Sequence, residues 1–287
     1  MNNPIKSVMV VGYGTMGRGI AISFARGGFE TTVLSRDPSR IDDLLDGVAA
    51  IAEPPAVAPD LIIESIPEDM ALKQALFGRL EGLYGDRTIY STNTSGLPIE
   101  DIAAPLAAKD RFLAIHYMQP AEAFPMVEVC RIEETADAVL TRSVEALAGT
   151  GKHSIVLNKP VIGFLINRLQ HAILHEAYYM IEEGIVTVED VDHFARWGFG
   201  PRMCVTGLLE QKDISGVNVT AAAQRSIVPD LHHNQTPCGM VQDMVANGDW
   251  GVATGKGFYD WQGRDVAARK AEAADKLARL LALLGED

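Results

Sequence analysis

The sequence predicts a doubly wound α/β domain followed by an all-α domain, and three observations predict it. Strand-like and helical stretches alternate from Ile5 to about residue 160. A short apolar run near the start opens into a helical pattern through Gly12, Gly14 and Gly17. Beyond Val161 strand signals nearly vanish and long helical patterns follow.

The first strand, Ile5–Val11, ends in Gly12-Tyr13-Gly14-Thr15-Met16-Gly17, which reads as strand, turn and helix. Gly12 permits a tight turn, Gly14 has no Cβ to block a pyrophosphate, and Gly17 lets the helix pack close to the strand. The amides of Thr15, Met16 and Gly17 and the positive end of the helix then face the anion. This spacing, followed by a second strand at Thr31–Leu34, is the fingerprint of a Rossmann-type dinucleotide site. An acidic residue at the end of that second strand would bind the ribose 2′-hydroxyl of NAD, but this chain has Ser35-Arg36-Asp37-Pro38-Ser39-Arg40. A hydroxyl at Ser35 and a guanidinium at Arg36 favour NADP over NAD, because arginine binds phosphate in bidentate fashion. The other reading has Asp37 standing in for the missing acid and the arginines solvated.

Further strands are expected at Leu61–Ile66, Thr88–Ser91, Phe112–His116, Met126–Val129 and Ser154–Leu157. Between the second strand and Leu61 lie about 24 residues, Arg36 to Pro59, room for little more than one helix and a turn. Asn158-Lys159-Pro160 marks the boundary, since proline disfavours continuing the element before it and can open a helix after it. The domains are therefore expected to be 1–160 and 161–287, the second built from helices such as Gly163–Glu183 and Asp265–Leu284.

Bulk properties narrow the function. A chain of 287 residues suits two domains, each able to bury a core. The net charge of −13 argues against nucleic acid and anionic membrane as partners. Cys130, Cys204 and Cys238 are odd in number and far apart, which fits a reducing compartment. With no charged-then-apolar leader and no apolar run near the ~18 residues of a membrane span, the expected location is cytoplasmic.

The candidate chemistry gathers at strand ends, where open α/β sheets bind ligands. Ser91-Thr92-Asn93-Thr94-Ser95-Gly96-Leu97 clusters small hydroxyls and amides. His116 closes the next strand, Glu128 follows, and Asn167 lies in the first turns of the long helix. An imidazole backed by a carboxylate can take a hydroxyl proton while hydride leaves the same carbon; Glu128 would orient and charge the ring. His171 and His175 share a helical face with Asn167, with Glu176 beside them, and are read as polar cleft groups because no third ligand at metal spacing is evident. No metal site is expected. His232-His233 falls in a loop without a chemical role, and Arg202 is either a substrate-carboxylate group or a solvated arginine.

Along nearly its full length the chain resembles the L-3-hydroxyacyl-CoA dehydrogenases and their lambda-crystallin, L-gulonate 3-dehydrogenase and carnitine dehydrogenase relatives. The resemblance is carried by Gly12-x-Gly14-x-x-Gly17, Glu64-Ser65-Ile66-Pro67-Glu68-Asp69, Ser91–Leu97, His116 to Glu128, Gly163–Arg168, Glu210 through Asp213 to Gly216, and Gly255-Lys256-Gly257-Phe258-Tyr259. It implies His116 as catalytic acid/base with Glu128 as its partner, and Ser95 and Asn167 as ligands of the substrate oxygen. It also implies that Glu68, Lys73 and Asn93 line the nicotinamide-ribose side of the cofactor. Gln119 stands where the family usually has Asn. The hydroxyacyl-CoA members insert a helical hairpin that helps hold CoA in the span matching Arg36–Pro59, which is short here. The expectation is an NAD(P)-dependent oxidoreductase of a small non-CoA hydroxy or keto compound, acting as a homodimer. The alternatives are a hydroxyacyl-CoA substrate, imine reduction, or a nucleotide-binding protein without turnover.

Overall fold

The computed structural model describes residues 3–285 and divides into two units, 1–168 and 169–287. The sequence-based boundary at 160 falls eight residues before this division, which lies inside a continuous helix.

Unit 1 is an eight-stranded sheet in the order β3-β2-β1-β4-β5-β6-β7-β8. The strands are β1 (Ser7–Val11), β2 (Glu30–Leu34), β3 (Ala49–Ile51), β4 (Leu61–Glu64), β5 (Ile89–Thr92), β6 (Phe112–Tyr117), β7 (Met126–Arg131) and β8 (His153–Leu157). Strands β3 to β6 are mutually parallel; β7 runs antiparallel to β6, and β8 parallel to β7. Helices α1 (Thr15–Arg26), α2 (Met70–Tyr84), α3 (Ile99–Ile102) and α4 (Asp137–Gly149) connect them.

The sequence builds both faces of this sheet from single strands, because successive side chains point to opposite sides. Val8 and Val10 join Ile20, Phe24, Leu61 and Ile63 in one core layer; Met9 and Val11 join Ile62, Phe77, Tyr90 and Phe112 in the other. Such two-sided burial is why the strands read as nearly continuous apolar runs.

The segment from Arg36 to Pro59 holds no α-helix but a 3₁₀ turn at Pro38–Arg40 and the short edge strand β3, paired with β2. Two residues separate Pro54 and Pro55 from the end of β3, and Gly47 before it takes φ 84°. A segment interrupted in this way lacks the apolar periodicity of a stable helix, and a three-residue strand gives too short a pattern to be read beforehand.

Unit 2 contains α6 (Val188–Phe194), α7 (Gly200–Thr206), α8 (Glu210–Ser215), α9 (Val217–Ile227), α10 (Gly239–Ala246) and α11 (Val266–Leu284), after α5 (Phe164–Glu182), which begins in unit 1. Local capping starts several of them: Thr187 and Asp190 form a reciprocal capping box on α6, and Asp265 accepts from the Ala268 amide on α11. Among the described residues of this unit only Ala177 is buried. Among the described residues no helix is long and apolar enough to cross a membrane.

Candidate active site

The glycine turn after β1 has the geometry its spacing implies. Gly12 has φ 96°, and a Cβ there would meet the Ser65 carbonyl oxygen at 2.6 Å; a Cβ on Gly17 would meet the Gly12 oxygen at 2.1 Å. At Gly14 a Cβ would find nothing within 4 Å, so this position opens on free space. Gly14 is also the N-cap of α1 and no side chain caps the helix. The first amides, those of Thr15, Met16 and Gly17, lack intrahelical acceptors as at any helix start, which leaves donors and a positive dipole end for an anion. These residues fit a dinucleotide pyrophosphate, and a bound nicotinamide would supply the hydride acceptor or donor.

Past the end of β2, Ser35 is half-buried and its hydroxyl accepts from the Asp37 amide at 3.4 Å. Asp37 is not idle: Ser39 donates to it at 2.5 Å and Arg40 pairs with it at 3.0 Å. Arg36 is exposed.

The proton-transfer candidates meet across a strand pair. The antiparallel register puts His116 on β6 directly opposite Glu128 on β7, and the imidazole Nδ1 lies 2.8 Å from a Glu128 oxygen. Both are buried, at 6% and 1% exposure. The second Glu128 oxygen accepts the amides of Leu165 (2.8 Å) and Ile166 (2.9 Å) from the start of α5. Burial pushes the Glu128 carboxyl up, but the hydrogen bonds from His116 and these two amides outweigh it and hold the group below the usual carboxylate range. It is therefore an anion at neutral pH, and it fixes the imidazole with Nδ1 inward and Nε2 free. Phe164 stacks on the His116 ring with centroids 4.9 Å apart. It does so with φ 49°, a left-handed conformation uncommon for a bulky residue, and this turn brings the Leu165 and Ile166 amides onto Glu128.

Asn167 follows one residue later and is half-buried. On the other side, the turn after β5 presents Asn93, whose side-chain oxygen accepts the Tyr117 amide at 2.8 Å, and Ser95. Ser95 is tied to Glu68, donating its amide at 2.8 Å and its hydroxyl at 3.3 Å.

Lys73, which the resemblance implies to line the cofactor, sits in an ionic cluster. It is 1% exposed, and its three ammonium hydrogens meet Glu64 (2.5 Å), the Ile66 carbonyl (3.3 Å) and Glu68 (3.2 Å). Sequence reasoning also missed Glu64 as more than part of a motif; its signal was a carboxylate closing an otherwise apolar strand, Leu61-Ile62-Ile63-Glu64.

The other candidates lie in unit 2. His175 packs beside His232 at 4.9 Å, Tyr179 stacks on His232 at 4.3 Å, and Glu176 accepts the His232 amide. His232, expected in a loop without a chemical role, lies in irregular backbone and takes part in aromatic packing. Arg202 is exposed on α7. A cavity of about 680 Å³ lies against Asp192, Tyr259 and Trp261, and none of the residues assigned chemistry above lines it. Among the described residues no group of three or more His, Cys, Asp and Glu gathers as a metal site.

Comparison with known proteins covers almost the whole chain. Residues 7–56 and 52–160 match the 3-hydroxyacyl-CoA dehydrogenase NAD binding domain, and residues 163–261 match the 3-hydroxyacyl-CoA dehydrogenase C-terminal domain. The 5-formyl-3-hydroxy-2-methylpyridine 4-carboxylate 5-dehydrogenase of Mesorhizobium japonicum is 28% identical, over 98% of each chain. A probable 3-hydroxybutyryl-CoA dehydrogenase of Bacillus subtilis is also 28% identical, over 90% of this chain and 98% of the other. Among solved structures, a 5-formyl-3-hydroxy-2-methylpyridine 4-carboxylic acid 5-dehydrogenase, described as an NAD+ dependent dismutase, aligns with TM-score 0.92 at 26% identity, over 98% of this chain and 99% of that one. The 3-hydroxyacyl-CoA dehydrogenase of Archaeoglobus fulgidus aligns with TM-score 0.70 at 29% identity, over 96% and 99%. With its dinucleotide turn, its buried histidine–glutamate pair and both halves matched in order, the chain belongs to the 3-hydroxyacyl-CoA dehydrogenase family of nicotinamide-dependent enzymes that interconvert hydroxyl and carbonyl groups.

Proposed function

We propose that the chain acts on a small hydroxy or carbonyl compound without coenzyme A, with His116 carrying the proton. The observation behind this reading is the span from Arg36 to Pro59, a 3₁₀ turn and a three-residue strand with no helical hairpin that could hold CoA. In this reading Nε2 of His116 takes the hydroxyl proton as hydride leaves the carbon, Glu128 stabilises the imidazolium, and Ser95 and Asn167 bind the substrate oxygen. Asn93 and Glu68 line the nicotinamide side.

The likeness to a dehydrogenase named for a formyl substrate favours an aldehyde as a second reading. A hydrated aldehyde carries two hydroxyls on one carbon. Loss of one hydroxyl proton to His116 and of the hydride to the nicotinamide leaves a carboxylic acid, so the same pair serves both oxidations. Panels of aromatic aldehydes, keto acids, acyl-CoA thioesters and imines, followed by nicotinamide absorbance, test these readings. Turnover of acyl-CoA thioesters alone overturns the non-CoA reading, turnover of imines alone overturns the hydroxyl chemistry, and tight cofactor binding with no turnover on any panel supports a non-catalytic role.

For the cofactor we propose NAD, against the NADP that Ser35 and Arg36 suggest. Arg40 is already paired with Asp37, and the matched domain and the dismutase relative are both described by NAD. Fluorescence titration should show tighter binding of NADH than of NADPH; the reverse, abolished by Arg36→Ala, would restore NADP.

We also propose a homodimer. Unit 2 leaves Phe194, Trp197, Val205, Leu209, Trp250 and Leu283 more than 60% exposed, an amount of open apolar surface typical of association sites. Light scattering at micromolar concentration should give twice the 31.0 kDa chain mass, and a value at the chain mass itself rejects the dimer. A cytoplasmic location remains the sequence-based proposal.

A further inference from the structure

Behind the turn that carries Ser95 lies an ionic cluster that the His116–Glu128 pair does not use. Glu64, the last residue of β4, is fully buried. One of its oxygens accepts from the Lys73 ammonium at 2.5 Å and the Ile66 amide at 2.7 Å, and the other from the Thr92 hydroxyl at 2.7 Å. Lys73, on α2, reaches onward to Glu68 at 3.2 Å. Glu68 is 43% exposed on its side chain and accepts from the Thr94 hydroxyl at 2.8 Å as well as from the amide and hydroxyl of Ser95. The contacts run without a break from the sheet interior to the exposed Ser95.

A buried ion pair is a poor way to gain stability, since apolar side chains of the same volume do as well or better; its best-attested use is to fix one arrangement among several. What this one fixes is the meeting of two turns, 65–69 after β4 and 93–97 after β5. We propose that Glu64 and Lys73 are positioning residues, which act through Glu68 to set the Ser95 hydroxyl and the turn that carries it. This rests on the reading that Ser95 meets the substrate oxygen.

The hydrogen count gives the proposal its content. Ser95 has one hydroxyl hydrogen, and a substrate carbonyl needs it. Glu68 holds that hydrogen across a long 3.3 Å contact while holding the Ser95 amide at 2.8 Å. The hydroxyl can therefore swing to a substrate while the backbone stays anchored. How firmly Glu68 competes depends on its charge. The groups facing it among the described residues are Lys73 from α2, Glu64 behind Lys73, and the neutral Thr94 and Ser95; Asp69 beside it turns its carboxylate to the Leu72 amide. Burial pushes Glu68 up, but the Ser95 amide, the Lys73 charge and the Thr94 hydroxyl together hold it below the usual carboxylate range.

The test is the paired substitution Glu64→Gln with Lys73→Met, which keeps volume and removes both charges; Lys73→Met alone would strand the Glu64 charge and risk unfolding. In the substrate-free protein the Ser95 amide resonance, followed by NMR against pH, reports the ionisation of Glu68. Its midpoint should rise by about one pH unit or more once the opposite charge is gone. kcat/KM for the carbonyl substrate should fall by about tenfold, with NADH affinity within about twofold of wild type, as for loss of one oriented hydrogen bond. An unmoved midpoint, or a moved midpoint with unchanged kcat/KM, overturns the proposal. Ser95→Ala separates the two levels: wild-type kcat/KM in that variant would reject the reading of Ser95 as a substrate ligand, and the amide midpoint of the paired variant would still decide whether the cluster sets the turn.

Discussion

Glu128 and Glu64 are both buried carboxylates paired with a nitrogen cation or its precursor, and they differ in what the partner has left over. Glu128 takes one nitrogen of an imidazole, and the ring's other nitrogen faces away from it. Glu64 takes an ammonium whose remaining hydrogens are consumed by the Ile66 carbonyl and Glu68. Both carboxylates are fully engaged, Glu128 by two backbone amides and one side chain and Glu64 by one backbone amide and two side chains, so burial and hydrogen bonding do not separate the two pairs. A free atom on the partner does.

The sharpest way to break this comparison is to remove the two partners. His116→Ala should cut turnover by about 10²–10⁴-fold while leaving NADH affinity nearly unchanged, as for loss of a positioned acid/base. Stopped-flow and titration together check it, and retention of most activity would show that another group moves the proton. Lys73→Ala should act on the fold instead, since stranding one partner of a buried pair costs about 3–5 kcal/mol. Urea denaturation measures that loss, and a cost below about 1 kcal/mol would mean that Glu64 does not depend on its ammonium.

Glu128→Gln should be milder than His116→Ala, about 10–100-fold in turnover, because the amide still meets the ring and only the charge is lost. The same variant carries a pH signature. Since the folded-state carboxyl of Glu128 lies below its usual range, its contribution to stability is present above that range and is lost as pH falls through the lowered value. The difference in urea midpoint between wild type and Glu128→Gln should therefore shrink as pH drops from about 5. A difference that grew on acidification would contradict the assignment. The smallest effect expected is that of Thr92→Val, which removes one hydroxyl from Glu64 and should cost about 1–2 kcal/mol of stability with little change in turnover.

Much of unit 1 was legible in the sequence because its signals are local. Gly12, Gly14 and Gly17 at fixed spacing need no partner to be read, and apolar runs buried on both faces announce parallel strands. The long helices were read within a residue or two of their ends: Gly163–Glu183 against Phe164–Glu182, and Asp265–Leu284 against Val266–Leu284. What escaped depends on pairing. Strand β3 has three residues and exists because β2 offers an open edge beside it. The direct opposition of His116 and Glu128 follows from the register of an antiparallel pair joined by an irregular loop, and twelve residues of separation do not reveal it. The ion pairing of Lys73 escaped because it depends on how α2 folds back on the segment 64–68. The packing of His232 escaped because its partners lie 53 and 57 positions away, at Tyr179 and His175.

The reversal of β7 has a further consequence for how such an enzyme can diversify. Because ladder hydrogen bonds hold His116 and Glu128 face to face, their pairing is independent of the connection 118–125 between them. That connection is secured from outside by Lys152, a buried ammonium that donates to the carbonyls of Ala121, Glu122 and Phe124. Its tip can then be recut for a new ligand while the machinery beneath stays in register. Grafting loops of other lengths at 118–120, with the Lys152 anchor retained, is accordingly the place to begin redirecting this scaffold, since the segment that faces outward is not the one that keeps the chemistry aligned.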